Sequence, residues 1–217
     1  MPTGTPKDFL TEAAERYSQD LTGSPAEEFL AARGIDPEAA ATARLGWTAN
    51  TMPGHEQYGF MLAIPYWNGG GGVSAMKFRQ VEDRPGPRYL NQQGSTPGMY
   101  NAHAAVLSGS PYVAVCEGEL DCVIAHYVCG VNAVAVAGVN NWKKHHPRVL
   151  KGFRDIFIVA DNDDREDNPG QNVLAGTIMS DLPRARNVLL PRGSDVTDYV
   201  LANGKGSLAP LLGIADA

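Results

Sequence analysis

From position 111 onward, apolar and polar residues fall into blocks that alternate between strand and helix patterns. Pro111-Tyr112-Val113-Ala114-Val115-Cys116 and Asp155-Ile156-Phe157-Ile158-Val159-Ala160 are short apolar runs with β-branched and aromatic residues, as expected of strands buried on both faces of a parallel sheet. Asn132-Ala133-Val134-Ala135-Val136-Ala137 predicts a strand between them, and Asn187-Val188-Leu189-Leu190 a fourth. The stretch 120–129 puts Val123, Ile124 and Tyr127 on one helical face, and Gly130 closes it. Further helices are predicted over 141–150 and 171–182, and a last short one starts near Val196. Four such alternations predict a small parallel sheet with helices on both faces. No repeat of 20 to 50 residues is visible.

The first 110 residues follow another pattern. Helices are predicted over 8–20 and 24–33; Ser24, Pro25 and Glu27 open the second, and Gly34 ends it. Two apolar runs, 60–67 and 73–78, flank Asn68-Gly69-Gly70-Gly71-Gly72, which predicts a hairpin. The glycine run lacks the following Lys-Ser/Thr and helix of a phosphate-binding P-loop.

Acidic residues follow two of the predicted strands: Glu117-Gly118-Glu119-Leu120-Asp121 and Asp161-Asn162-Asp163-Asp164. Carboxylates at the carboxyl ends of parallel strands sit where open α/β sheets bind ligands. Several hard oxygen ligands together call for a hard cation such as Mg²⁺. The alternative is a pair of solvated acidic turns that cap helices.

Residues 77–91 hold four basic side chains (Lys77, Arg79, Arg84, Arg88) against two acidic ones, a local +2 in a chain of net charge -6. That net charge argues against coating nucleic acid through bulk charge, so any such contact needs a local patch. Phe78 and Tyr89, interleaved with the bases, fit a single-strand track of cations and stacking rings; a solvated loop is the alternative. Cys116, Cys122 and Cys129 lack CxxC spacing, so neither a disulfide framework nor a zinc ribbon is expected. Cys122, His126 and Cys129 share a helical face, but a structural zinc site wants four ligands, so zinc is not expected. No run approaches the ~20 apolar residues that cross a bilayer, and the amino terminus lacks a signal pattern. A cytoplasmic location without membrane association follows as an expectation.

In these residues the chain resembles the Toprim domain, and as a whole the catalytic core of DnaG-type primases. The family's Glu-Gly-x-x-Asp motif resembles Glu117-Gly118-Glu119-Leu120-Asp121. Its Asp-x-Asp motif resembles Asp161-Asn162-Asp163, and its Gly-x-Asp resembles Gly193-Ser194-Asp195. Upstream, Phe29-Leu30-Ala31-Ala32-Arg33-Gly34-Ile35, Leu45-Gly46, Phe60-Met61-Leu62-Ala63-Ile64-Pro65, Arg88-Tyr89-Leu90-Asn91 and Met99-Tyr100-Asn101 resemble the amino-terminal half of that core. The likeness spans roughly 24–204. The chain departs from the pattern at Thr197, where the family usually carries an Asp, with Asp198 one position later. A lysine often found shortly before the position of Tyr100 is also missing from the shortened segment 94–99.

The resemblance implies an α/β chain: an amino-terminal α+β primase-core subdomain over 1–110, a Toprim domain (a Rossmann-like parallel sheet flanked by helices) over 111–204, and a tail over 205–217. It implies template-directed synthesis of short RNA primers on single-stranded DNA from ribonucleoside triphosphates. Asp161, Asp163 and Asp195 would bind Mg²⁺ or Mn²⁺, while Glu117 would ligate metal or transfer a proton. Asp121 would orient Glu117 or cap its helix, and Asp198 is a reserve ligand. Lys77, Arg79, Arg88 and Asn91 would hold template or nucleotide. With neither the family's zinc module nor its helicase-binding domain in view, a bare core of the phage-primase kind is expected, working in a bacterial cytoplasm with a helicase or a separate zinc-bearing chain. The rival readings are a Toprim nuclease using the same carboxylates on water, and a non-catalytic nucleic-acid or nucleotide-binding replication subunit.

Overall fold

The strands of the computed structural model, which describes residues 6–214, form two four-stranded sheets, one in each of two units, Met1–Gly98 and Met99–Ala217.

In the first unit three helices, α1 (Pro6–Gln19), α2 (Pro25–Ala31) and α3 (Pro37–Thr42), precede the strands β1 (Gly46–Trp47), β2 (Leu62–Trp67), β3 (Val73–Arg79) and β4 (Tyr89–Asn91). The sheet is antiparallel in the order β1-β2-β3-β4. Leu10, Ala13, Ala14 and Tyr17 form the buried stripe of α1 at helical spacing, and it packs with Met76 and Phe78 of β3. Ser24 caps α2, its hydroxyl oxygen accepting the Glu27 N–H at 3.3 Å. The same logic builds α3, a helix additional to those expected from the hydrophobic pattern: Asp36 accepts the Ala39 N–H at 2.8 Å and Pro37 sits in the first turn. The β2–β3 hairpin turns where expected, with the Asn68 side chain accepting the Gly70 N–H at 2.8 Å. Pro65 is tolerated inside β2 because β1 pairs only with Leu62 and Ala63.

The second unit has the element order α4 (Ala102–Leu107), β5 (Tyr112–Cys116), α5 (Glu119–Val123), β6 (Ala133–Ala135), α6 (His146–Val149), β7 (Asp155–Val159), α7 (Gly176–Asp181), β8 (Arg186–Asn187), α8 (Val196–Asn203) and α9 (Leu208–Leu211). Its sheet is parallel, in the order β6-β5-β7-β8, flanked by helices. Met99 and Ala105 lie in its apolar core, and Tyr100 bridges to Ala135, so the unit starts at Met99, ahead of Pro111. At the other end Leu208 and Leu212 are buried, which anchors the residues after α8.

The predicted helix over 141–150 shrinks to α6. Pro147 occupies its first turn and the Lys143 N–H donates to His146 Nδ1 at 3.2 Å, which holds the preceding polar residues in a turn. Two helices open into wide π turns, Ile124–Val128 after α5 and Gly170–Ala175 before α7. Each lies on the connection that follows an acid-bearing strand, and such turns recur at functional sites. No helix of the described residues is long and apolar enough to cross a membrane.

Candidate active site

The connection from β5 leads to β6 on one side of the sheet, whereas β7 lies on the other, so the strand order reverses between β5 and β7. That reversal is where open α/β sheets form a crevice for ligands. Cys116 and Val159, the last residues of the two strands, pair directly. Glu117 follows the first and Asp161 comes two residues after the second, so both carboxylates leave the sheet at the same end.

Glu117, Asp161, Asp163 and Asp195 are half-buried, Asp121 is buried, and Asp198 is exposed. Burial, with the negative charges of Asp163 and Asp121, pushes the Glu117 carboxyl up to about 7. Burial and the charges of Glu117, Asp195, Asp163 and Asp198 push Asp161 up to about 7 as well. Asp121 rises to about 8 through burial and repulsion from Asp195 and Asp161, against two hydrogen bonds from Thr197. Carboxyls that raise one another in this way share a region of concentrated negative charge. The side-chain atoms Glu117 Oε2 and Asp161 Oδ1 are buried without a hydrogen-bond partner, an arrangement costly enough that such groups usually have a function.

The scaffold around these acids is made of side-chain-to-backbone ties. Gln171 Nε2 donates to the carbonyls of Ala160 and Asp161 at 3.1 and 3.3 Å, and its Oε1 accepts from Asn187 at 2.8 Å. Asn162 donates to the Leu190 carbonyl and accepts from Asn168. Backbone hydrogen bonds between Asn162 and the pair Gly193 and Ser194 tie the loop bearing Asp195 to the loop bearing Asp161. Gly170 opens the π turn against the acids: a Cβ there would collide with the Asp161 carbonyl and lie 2.9 Å from Glu117 Oε2. Asp195 caps α8, accepting the Asp198 N–H at 2.7 Å, and Asp121 accepts from Thr197. Asp163 is ion-paired with Arg165 at 3.1 Å. Among the described residues no three His, Cys, Asp or Glu side chains are preset as a metal-binding group.

No family model matches the chain. It is 35% identical over 152 residues to the gene 57 protein of Mycobacterium phage D29, which covers 68% of this chain and 94% of the phage protein. The chain belongs to the family of that phage protein. It is also 25% identical over 249 aligned positions to the DNA primase of Myxococcus xanthus, an alignment that takes in 95% of this chain but only 41% of the Myxococcus protein. Among solved structures, a DnaG primase catalytic domain bound to single-stranded DNA superimposes with a TM-score of 0.76 at 19% identity, over 95% of this chain and 77% of that one. The zinc-binding and RNA polymerase domains of Aquifex aeolicus primase match with a TM-score of 0.75 at 21% identity, over 94% of this chain and 59% of that one. The fold is that of the DnaG-type primase catalytic core.

The basic residues singled out in sequence lie in the first unit. Lys77 and Arg79 are buried on β3, where they pair with Asn91 and Tyr89 of β4. Tyr89 organises both: Lys77 Nζ lies 4.5 Å from its ring centre, and Arg79 donates to its hydroxyl at 2.8 Å. Phe29 carries two guanidinium groups, those of Arg79 and Arg33, each 4.7 Å from its ring centre. Arg79, Arg33, Arg84 and Arg88 line a cavity of about 490 Å³, with Glu82 and Asp83 on the same wall. Of this cavity the sequence reading missed Phe29 and Arg33, although Phe29-Leu30-Ala31-Ala32-Arg33 puts ring and cation one helical turn apart. His126 accepts the Ala133 N–H at 3.2 Å, while burial raises the Cys122 thiol well above its ordinary value.

Proposed function

We propose that this chain is a DNA primase core that makes short RNA primers on single-stranded DNA, by nucleotidyl transfer at a Toprim-type acidic centre. One observation carries the reading: two unpartnered, buried carboxylate oxygens, Glu117 Oε2 and Asp161 Oδ1, at the strand-order reversal of a sheet with the primase-core fold. The likeness to a primase domain bound to single-stranded DNA and to a bacterial DNA primase supports the choice of template and reaction.

The donor set fits Mg²⁺ or Mn²⁺. It is all oxygen and half-buried, and burial together with the neighbouring negative charges raises Glu117 and Asp161 to about 7. Glu117, Asp161, Asp163 and Asp195 would hold such ions, with Asp198 in reserve. When bound, these ions stabilise charge on the attacking 3′-hydroxyl oxygen and on the departing pyrophosphate. As the alternative to holding an ion, Glu117 would take the proton of that hydroxyl. Asp121, committed to Thr197, keeps the helix behind Glu117 fixed against α8. The arginine-lined cavity would hold phosphates of template or nucleotide, each charged contact releasing counterions.

The test is ribonucleotide incorporation on single-stranded DNA, resolved on a gel beside plasmid nicking. Templated primers that disappear in Asp161→Asn support the proposal. Nicking without primers would replace it with a nuclease, and neither product with a binding subunit.

A further inference from the structure

Among the described residues of the first unit, Phe60 alone combines a large apolar side chain that is more than half exposed with a left-handed backbone: it is 56% exposed with φ at 58°. A bulky residue is strained in that conformation, which persists only where neighbouring structure enforces it. Here the enforcement is dense. The Phe60 N–H donates to the Thr48 carbonyl at 2.9 Å, the buried Thr48 hydroxyl donates to the carbonyls of Tyr58 and Met61, and the Met61 N–H returns to that hydroxyl at 2.8 Å. Trp47 meets the Phe60 ring edge-on at 6.4 Å. Arg84, which lines the basic cavity, donates to the Phe60 carbonyl. A ring held outward at this cost, its backbone carbonyl tied to one of the four arginines of the cavity, sets an aromatic face beside a basic surface. That pairing is how unpaired nucleic acid is gripped.

We propose that Phe60 is a stacking platform for an unpaired nucleobase whose phosphate lies in the adjoining arginine-lined cavity. The inference rests on the reading of the first unit as the template- or nucleotide-binding part. The base comes either from a single strand or from a free nucleotide, since both present the same ring joined to phosphate.

Binding of labelled oligo-dT and of ATP to the full chain, across a salt series, tests this with Phe60→Leu, Phe60→Tyr and Phe60→Gly. The leucine variant is expected to lose roughly 5- to 150-fold in affinity, the worth of one stacked base, with an unchanged salt slope because no charge is removed. Tyrosine is expected to retain binding. Glycine, which relieves the left-handed strain, is expected to lose binding while its thermal midpoint stays equal or rises. Loss toward oligo-dT assigns the platform to a strand, and loss toward ATP assigns it to a nucleotide. Wild-type affinity for both ligands in Phe60→Leu overturns this inference alone, whereas failure of the wild-type chain to bind either ligand overturns the binding role of the whole first unit.

Discussion

Asp121 on α5 accepts two hydrogen bonds at one oxygen from Thr197 in the first turn of α8, from the backbone N–H at 3.2 Å and from the hydroxyl at 2.9 Å. The chain departs from the primase pattern at this position, and the threonine turns a site for another carboxylate into a donor. One acid is thereby taken out of a crowded cluster, and the two helices beside the centre are locked together. Thr197→Val, isosteric but without the hydroxyl, is expected to cost about 1–2 kcal/mol in urea unfolding. An unchanged midpoint would show that the pair contributes nothing.

The raised carboxyls set a pH dependence. In the unfolded chain carboxyls titrate near 4, whereas folded Glu117 and Asp161 titrate at about 7 and Asp121 at about 8. Between these values the folded state holds more protons than the unfolded one, so raising the pH destabilises it. Metal-free protein is expected to lose on the order of a few kcal/mol from pH 5 to pH 8.5, and Mn²⁺ is expected to restore most of it at the upper end. Stability that rises over this window without metal would contradict the assigned shifts.

Gly170 is the tightest point around the centre. Gly170→Ala forces its methyl group against the Asp161 carbonyl and Glu117 Oε2. A cost of about 1–3 kcal/mol is expected, with a loss of primer synthesis beyond the loss of folded protein. An alanine variant of normal activity would mean that the π turn does not position the acids.

The sequence made the two acid-bearing strands legible because their apolar runs are continuous and end in carboxylates, whereas the strand-order reversal between them has no local signature and is seen only in the sheet topology. Gly170, Gln171 and Asn162 were not legible. Their roles depend on a π turn and on loop-to-loop ties that have no period in sequence. Asp36-Pro37-Glu38 does carry the signature of a helix start, with a capping carboxylate followed by proline and an acidic first turn. The basic strip was legible as charge, but its organisation around Phe29 and Tyr89 joins residues some sixty positions apart, which no local pattern reveals.

Arg79 and Arg88 are expected to differ. Arg79 is buried between Phe29 and Tyr89, so Arg79→Ala is expected to cost about 1–3 kcal/mol of stability as well as binding. Arg88 is exposed on the cavity wall, so Arg88→Ala is expected to leave the fold intact and lower the salt slope of single-strand binding by about one. Thermal melting and binding at several salt concentrations separate the two, and equal behaviour would contradict the assignment.

Primer synthesis by Glu117→Gln measures the central claim most directly. The substitution removes one ionisable group at constant volume, so the variant is expected to melt at or above the wild-type temperature while ribonucleotide incorporation on single-stranded DNA falls by at least ~100-fold, the scale of a lost proton-transfer group. A folded Glu117→Gln protein that extends primers at the wild-type rate would contradict the account.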